Sequence, residues 1–215
     1  MASRLTRKER QARTRSSLMR SAAKVFCKRG LEQASIDEVA EDAGYTKGAF
    51  YANFKNKEEL FLAMLDERFA ARLRDIDVAT ATDATPEAQA HRAGMEFVRF
   101  LSADPDWQRL FFEFAAHAGR DDDFREELVT RYRSLRERIA EILERRAEEL
   151  GLTSPVPLEQ VAMMTFAMAN GVGLEKLLEP DAVPDDLFGT MLMVFFTGLR
   201  VLAEEPQAVG APTAA

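Results

Sequence analysis

The sequence is poor in the residue types from which most catalytic and metal sites are built. Its 215 residues include one Cys, two His, 8 Pro and 11 Gly. A single cysteine, Cys27, excludes an intramolecular disulfide and any site that needs several cysteines. The sequence also lacks a Gly-rich phosphate loop, a Gly-x-Ser-x-Gly element and a metal-ligand spacing. We therefore expect neither an enzyme nor a protein that holds a metal ion or a cofactor.

Long hydrophobic runs are missing too. The longest nearly uncharged stretch, residues 187–199, is shorter than the ~20 residues that a membrane-spanning helix needs, and Arg200 follows it directly. The basic N-terminus has no apolar segment of the kind found in a secretory signal. Together with the lone cysteine, these features predict a cytoplasmic protein without a membrane segment, in which residues 187–199 form a buried helix.

The composition predicts an all-α fold of about nine helices with almost no strand. Hydrophobic residues make up 47% of the chain, and Ala, Leu, Glu and Arg are abundant while Gly and Pro are few. Residues 77–86 are predicted to form a loop and residues 206–215 a disordered tail. In the second half of the chain, apolar helical periods recur over residues 87–103, 106–118, 122–150, 158–178 and 184–203.

The net charge of −7 is distributed unevenly along the chain. Residues 1–60 hold 13 Lys and Arg against 8 Asp and Glu, whereas the remainder holds 16 against 28. A basic end on an acidic body predicts one surface for phosphate, the alternative being a solvated basic tail. Residues 1–13 are expected to form a flexible arm. The arginines of this arm, together with the one at position 15, are predicted to attract phosphate non-specifically rather than to enter a minor groove; they are Arg4, Arg7, Arg10, Arg13 and Arg15.

Three helices with short connections are predicted within residues 14–54. The first has an apolar face made by Leu18, Ala22, Val25 and Phe26, and it ends at Gly30, which tolerates a left-handed backbone. The second begins with a capping box formed by Ser35 and Glu38 and ends at Gly44. Two short helices that follow one another across a tight turn predict a helix-turn-helix.

The third helix is expected over residues 47–54, with Thr46 as its N-cap. If Phe50 and Phe54 face inward, Lys47, Gly48 and Tyr51 lie on the outer face, at the end that enters a major groove in such motifs. The alternative is that Tyr45 and Tyr51 are core aromatics and the lysines are simply solvated. A further helix, capped by Asn56 with Glu59 at its third position, is predicted to run to about Ile76.

Residues from about Ala12 to Arg72 resemble the tetracycline-repressor (TetR) family of transcription regulators, through the run over residues 35–60. The resemblance rests on Ala43-Gly44, Lys47-Gly48, Tyr51-x-x-Phe54 and Lys57-Glu58-x-Leu60 at the family's spacing, and it covers about the first third of the chain. Two positions depart from the family pattern: many members carry His or Tyr in place of Asn53, and a small aliphatic residue in place of Tyr45. The resemblance implies contacts with DNA, mostly with phosphates, by Ser35, Tyr45, Thr46, Lys47, Gly48, Tyr51, Asn53, Lys55 and Lys57.

The family likeness also implies a division of the chain. A DNA-binding domain would occupy residues 12–72, with its helix-turn-helix at 35–54, and a helical domain for dimerisation and effector binding would occupy residues 73–205. The dimer interface would come from the last two long helices. These are apolar over more than one face through Val161, Met164, Thr165, Met168, Leu187, Met191, Met193, Val194, Phe195 and Phe196.

Aromatic and methionine-rich helices in the second half of the chain suit a pocket for an apolar or aromatic effector. The candidate ligand-binding residues are Trp107, Phe111, Phe114, His117, Phe166 and Asn170. The alternative is that these residues are ordinary core, with His117 at the surface.

Taken together, the sequence predicts a homodimeric repressor that a small molecule releases from a palindromic operator. An activator is compatible with the same residues. The competing interpretation is a helical protein that binds nucleic acid or a protein partner without any effector.

Overall fold

A computed structural model describes residues 6–81 and 84–204. Over these residues the chain forms helices and no strand, which confirms the all-α prediction. In chain order the helices of the described residues are α1 (Arg7–Gln33), α2 (Ile36–Asp42), α3 (Lys47–Tyr51), α4 (Lys57–Thr80), α5 (Pro86–Ala103), α6 (Pro105–Ala118), α7 (Asp122–Leu150), α8 (Leu158–Leu178) and α9 (Leu187–Glu204).

The first helix begins earlier than the apolar pattern predicts. Thr6 caps α1: its hydroxyl accepts from the Glu9 amide at 3.2 Å, and the Glu9 carboxylate accepts from the Thr6 amide at 2.6 Å. This capping box satisfies the free amides of the first turn, so the helix extends without an apolar face. The expected flexible arm is therefore wrong for residues 7–13, while residues 1–5 lie outside the described part of the chain.

Local signals act at the predicted glycines and at the start of α2, although α1 continues past the break at Gly30 to Gln33. Gly30 and Gly44 adopt positive φ values of 76° and 73°, and Ser35 and Glu38 form the predicted capping box. The third helix is shorter than expected because its backbone turns after Tyr51, where the amides of Asn53 and Phe54 both bond the Phe50 carbonyl. The prediction that this helix continues to residue 54 is therefore wrong in extent.

The fourth helix is longer than predicted. Asn56 caps it by accepting from the Glu59 amide at 2.8 Å, as expected, but the helix continues past Ile76 to Thr80. Ala79 is buried, and the Thr80 hydroxyl bonds back to the Ile76 carbonyl at 2.9 Å. The predicted loop over residues 77–86 is therefore wrong for residues 77–80, because tertiary burial extends the helix beyond its amphipathic segment.

The described residues pack into two compact units. The first contains the chain up to Phe69 together with Asp106–Thr130, and the second contains Ala70–Pro105 and the chain from Arg131 onward. Consequently α6 belongs with the N-terminal helices, and α4 and α7 each continue from one unit into the other.

An aromatic core holds the first unit together. Phe61 of α4 stacks on Phe114 of α6 with ring centroids 3.6 Å apart, and on Trp107 at 5.6 Å. Phe26 of α1 meets Phe114 edge-on at 5.9 Å. Because Phe26, Phe61 and Phe114 are almost fully buried, α1, α4 and α6 share one hydrophobic centre.

The second unit is organised by the packing of α5 along α9. Their backbones approach so closely that a Cβ on Gly94 would lie 2.5 Å from Cα of Gly189. Only Phe188, Gly189 and Leu192 of α9 are buried, so the expectation that residues 187–199 form a buried helix is wrong for the single chain. Among the described helices, α9 is also the one whose length and composition would suffice to cross a membrane.

Candidate nucleic-acid interface

The turn between α2 and α3 sets the orientation of α3. The Tyr45 amide donates to the Ala40 carbonyl at 2.8 Å, and the Thr46 hydroxyl caps α3 by accepting from the Ala49 amide at 3.2 Å. Val39 and Ala40 of α2 and Phe50 of α3 are buried. The two short helices are thus joined by a rigid, hydrogen-bonded corner with one common inner side.

Exposure divides α3 as the sequence predicts. Phe50 and Phe54 are 0% and 1% exposed, whereas Tyr51 is 52% exposed and Lys47 and Gly48 are exposed as well. Tyr51 is therefore not a core aromatic, which removes the alternative for that residue. The outer face offers one cation, one phenol and a stretch of backbone without a side chain, which are groups that contact phosphates and base edges.

Lys47 is not free on this face. Its ammonium lies 2.9 Å from the Asp37 carboxylate of α2, and both side chains are more than half exposed. The hydrogen bond to Asp37 and the charge of that carboxylate raise the pKa of Lys47. Sequence reasoning missed this pair because its members belong to different helices.

Two predicted DNA contacts also serve as helix caps. The Ser35 hydroxyl accepts from the Glu38 amide at 3.1 Å, and Thr46 caps α3, so both oxygens have local roles while both residues are exposed. Tyr45 is half-buried and Lys55 is exposed. Asn53 is half-buried, with its side-chain amide donating to the Ala49 carbonyl at 2.8 Å.

Lys57 has a role inside the first unit. Its ammonium donates to the carbonyls of Leu31 at 2.6 Å and Ala34 at 3.0 Å. A cation at the C-terminal end of α1 satisfies carbonyls that have no partner within the helix and opposes the helix dipole. Of the two lysines expected to extend the cationic surface, Lys55 is thus the exposed one and Lys57 is held by backbone oxygens.

Arg15 supports α3 from α1. Its guanidinium lies 4.2 Å from the centre of the Phe54 ring, and Nη1 donates to the Asn53 carbonyl at 2.9 Å. The residues that follow α3 are thereby fixed to α1 through a cation–π contact and a hydrogen bond. The sequence indicated only attraction to phosphate for this arginine, whereas Arg7, Arg10 and Arg13 are exposed.

Glu113 of α6 holds the corner between α1 and α2. Its carboxylate accepts from the Leu31 amide, and a Cβ on Gly30 would come within 3.0 Å of the same carboxylate. Gly30 is therefore favoured by its positive φ, and a side chain at this position would also crowd the Glu113 carboxylate. No local sequence pattern connects positions so far apart in the chain.

The candidate effector residues fall into two groups. Trp107, Phe111 and Phe114 are buried in the first unit, where Trp107 and Phe114 belong to the aromatic core. His117 is partly exposed, with Nε2 3.8 Å from both Glu58 and Asp121. Phe166 and Asn170 are half-buried in the second unit, where the Phe166 ring meets that of Tyr132 at 5.0 Å.

Apolar side chains remain exposed along α8 and α9. Leu178 and Val194 are 70% and 63% exposed. The others on these helices are Met163, Met164, Leu174, Met193 and Val201. Such a concentration of exposed apolar residues exceeds the scattered ones found on most monomers.

Two protein-family models match the chain. The model described as bacterial regulatory proteins of the tetR family matches residues 18–64, and the model described as the C-terminal part of BetI-type transcriptional repressors matches residues 86–199. The first match contains α2 and α3 with the outward residues described above, and the second contains α5 to α8 and most of α9.

Individual relatives agree with these matches. The regulator TtgR of Pseudomonas putida is 28% identical over 93% of this chain and 96% of its own length. The transcriptional activator FasR of Mycolicibacterium smegmatis is 37% identical over 51% of this chain and 48% of its own length. The fold is also that of the regulator FadR from Bacillus subtilis in complex with stearoyl-CoA, with a TM-score of 0.69 at 14% identity over 84% of this chain and 96% of that one.

These relatives are named as regulators of transcription rather than as enzymes. The C-terminal model alone covers more than half of the chain, and the N-terminal model covers the helix-turn-helix. The chain therefore belongs to the TetR family of DNA-binding transcriptional regulators, as its sequence motifs indicated.

Proposed function

We propose that this chain is a cytoplasmic, homodimeric repressor that binds a palindromic operator and leaves it when a small apolar or aromatic molecule binds. In this proposal residues 12–72 bind DNA, with the helix-turn-helix at 35–54, and residues 73–205 provide the dimer interface and the effector site. The DNA contacts are made by Ser35, Tyr45, Thr46, Lys47, Gly48, Tyr51, Asn53, Lys55 and Lys57.

The outward face of α3 is the observation that carries the proposal. Lys47 and Gly48 stand at the N-terminal end of the helix and Tyr51 follows one turn later, all three exposed. Phe50 holds the opposite side in the core. A helix anchored in this way offers its first turn to base edges and neighbouring phosphates, as recognition helices do.

The exposed apolar residues of α8 and α9 support the homodimer. Leu178 and Val194 are highly exposed. If a second copy of the chain covers them, apolar surface is removed from water, and this favours association. A two-fold dimer carries two copies of α3, and its symmetry is the reason to expect a palindromic operator.

The name of the C-terminal family model supports repression, while FasR is named an activator. The complex of FadR with stearoyl-CoA supports an effector with a large apolar part. Release then follows if the effector binds preferentially to a dimer conformation whose two copies of α3 no longer fit successive grooves. The candidate effector contacts are Trp107, Phe111, Phe114, His117, Phe166 and Asn170.

Binding to a selected DNA duplex tests the proposal. A duplex enriched from a random pool by the full-length protein is expected to be palindromic and to bind saturably in a fluorescence anisotropy titration. Lys47→Ala and Tyr51→Ala are each expected to weaken binding about tenfold, because each removes a DNA contact. Lys28→Ala is the matched control, since Lys28 is an exposed lysine of α1 outside the helix-turn-helix.

Equal losses in Lys47→Ala and Lys28→Ala would contradict the placement of the recognition helix. Selection of single-stranded RNA in preference to duplex would favour the competing helical nucleic-acid-binding protein. A reporter gene downstream of the selected duplex separates repression from activation, because only a repressor lowers transcription when it is bound.

A further inference from the structure

Among the described residues, Arg72 of the second unit forms no ion pair with an acidic side chain. Arg72 of α4 directs Nη2 to the Ala93 carbonyl of α5 at 3.0 Å and lays its guanidinium 4.8 Å from the centre of the Phe97 ring. Its other terminal nitrogen, Nη1, is shielded from solvent and has no hydrogen-bond partner among the described residues. Only one of the two terminal nitrogens of the guanidinium therefore donates a hydrogen bond within the described residues.

The nearest acidic groups do not complete this site. Asp75 and Glu96 lie near enough for their charges to act on Arg72, but neither forms an ion pair with it, and Glu96 pairs with Arg99 at 2.5 Å. Burial lowers the pKa of the Arg72 guanidinium to about 10. Because the group remains protonated at neutral pH, the second unit holds a half-buried positive charge that forms no ion pair among the described residues.

Apolar groups surround the Arg72 side of α5. Phe97 lies 5.1 Å from Phe188 and 6.5 Å from Phe100, measured between ring centroids. Phe97 and Phe100 are only partly buried against the core cluster of this unit, as are Met168 and Met191. A cationic fork beside the partly covered Phe97 ring matches a molecule that is anionic at one end and apolar at the other.

We infer that the effector is an organic acid whose anionic group pairs with Arg72 and whose apolar body packs beside Phe97. This inference rests on the proposed function in one respect, namely that the chain binds an effector, and it places the anionic end of that effector in the second unit, at the boundary of the residues assigned to DNA binding. It adds that the effector is negatively charged: the carboxylate of the effector accepts a hydrogen bond from Nη1 and acts as the counter-ion of Arg72. A neutral molecule of the same shape leaves the guanidinium unpaired and therefore binds more weakly.

Matched acids and alcohols test the charge directly by isothermal titration calorimetry on the full-length protein without DNA. The probes are octanoate against octanol and phenylbutyrate against phenylbutanol. At least one acid is expected to bind about tenfold more tightly than its alcohol, because a charge-assisted hydrogen bond to Arg72 is made only by the acid. In Arg72→Gln the acid is expected to lose about this factor, while the affinity of the alcohol stays within about twofold.

Two further variants separate charge from structure. Arg72→Lys keeps the charge and is expected to retain a preference for the acid, whereas Arg74→Gln removes an exposed charge two residues away and is expected to change nothing. Far-ultraviolet circular dichroism establishes that each variant is folded. Equal binding of acid and alcohol by the wild type, no binding of either acid, or equal losses in Arg72→Gln and Arg74→Gln would each overturn the inference.

The readouts keep this inference distinct from the proposed function. If acids bind through Arg72 but leave the affinity for the selected duplex unchanged, the charge assignment stands and effector-driven release is wrong. If DNA binding depends on Lys47 and Tyr51 but neither acid binds more tightly than its alcohol, the proposed DNA-binding function is supported and the inference of an anionic effector is wrong.

Discussion

Asp37 and Lys47 illustrate how single residues set the charge of the proposed DNA-binding face. They form an exposed ion pair between α2 and α3 at 2.9 Å. Exposed ion pairs contribute little to stability, so this pair matters mainly because it competes with the proposed contact between Lys47 and DNA phosphate. In the proposed complex with DNA, Lys47 leaves Asp37 to reach a phosphate, and the carboxylate that remains would repel the DNA.

The substitution Asp37→Asn is expected to increase affinity for the selected duplex. Removing the competing carboxylate frees Lys47 and deletes one negative charge facing the phosphates, so the dissociation constant should fall about two- to fivefold. Fluorescence anisotropy at low salt measures the change. Asp42→Asn is the matched control, because Asp42 also lies exposed at the end of α2 but pairs with Lys24 of α1. An affinity that is unchanged or lower in Asp37→Asn argues against a contact between Lys47 and phosphate.

At the scale of elements, close approach of backbones decides which helices pair. A Cβ on Gly94 would lie 2.5 Å from both Cα and N of Gly189, and one on Gly189 would lie 2.6 Å from the His91 carbonyl oxygen. These are backbone atoms, which do not move aside as a flexible side chain does. The two glycines therefore fix the distance between α5 and α9.

Gly94→Ala is accordingly expected to destabilise the protein by about 1–3 kcal/mol, the usual cost of forcing a methyl group into a packed contact. Urea unfolding followed by circular dichroism measures this free energy. Gly171→Ala on α8 is the control, because its Cβ would meet nothing within 4 Å in this chain. The control should be neutral or slightly stabilising, since alanine favours helix more than glycine does. Equal stability of Gly94→Ala and the wild type would contradict the close crossing.

At the scale of the whole molecule, the exposed apolar residues of α8 and α9 make the single chain an incomplete structure. A helix as apolar as α9 with only three buried residues leaves unfavourable surface in water unless a second copy covers it. In the proposed dimer, dimerisation and DNA binding would be linked, because two tethered copies of α3 would bind a palindrome far more tightly than one copy does.

Val194→Glu tests this link, because it places a charge where Val194 is 63% exposed on α9. The variant is expected to be monomeric in analytical ultracentrifugation and to bind the selected duplex about a hundredfold more weakly than the wild type. Val78→Glu alters a valine of α4 that is even more exposed, at 74%, and should remain dimeric. A monomeric wild type, or a dimeric Val194→Glu, would contradict the proposed interface.

The sequence by itself determined most helix boundaries and the orientation of α3. Caps at Ser35, Thr46 and Asn56 and glycines at 30 and 44 act through hydrogen bonds and backbone angles within a few residues. The i, i+4 spacing of Phe50 and Phe54 likewise predicted that Phe50 faces inward, whereas the sequence left a core position open for Tyr51 and the structure shows that side chain exposed. Such short-range effects depend on local chemistry, so they can be inferred from residues that are neighbours in the sequence.

Tertiary structure alone decided which distant groups meet. Three contacts join segments that no local sequence pattern relates. They are the guanidinium of Arg15 over the Phe54 ring, the Glu113 carboxylate on the Leu31 amide, and the hydrogen bond from Arg72 to the Ala93 carbonyl. The extension of α4 to Thr80 and the Gly94–Gly189 crossing also depend on partners remote in the chain. The physical reason is that burial and close packing depend on which surfaces come together in three dimensions, and composition and periodicity do not specify that pairing.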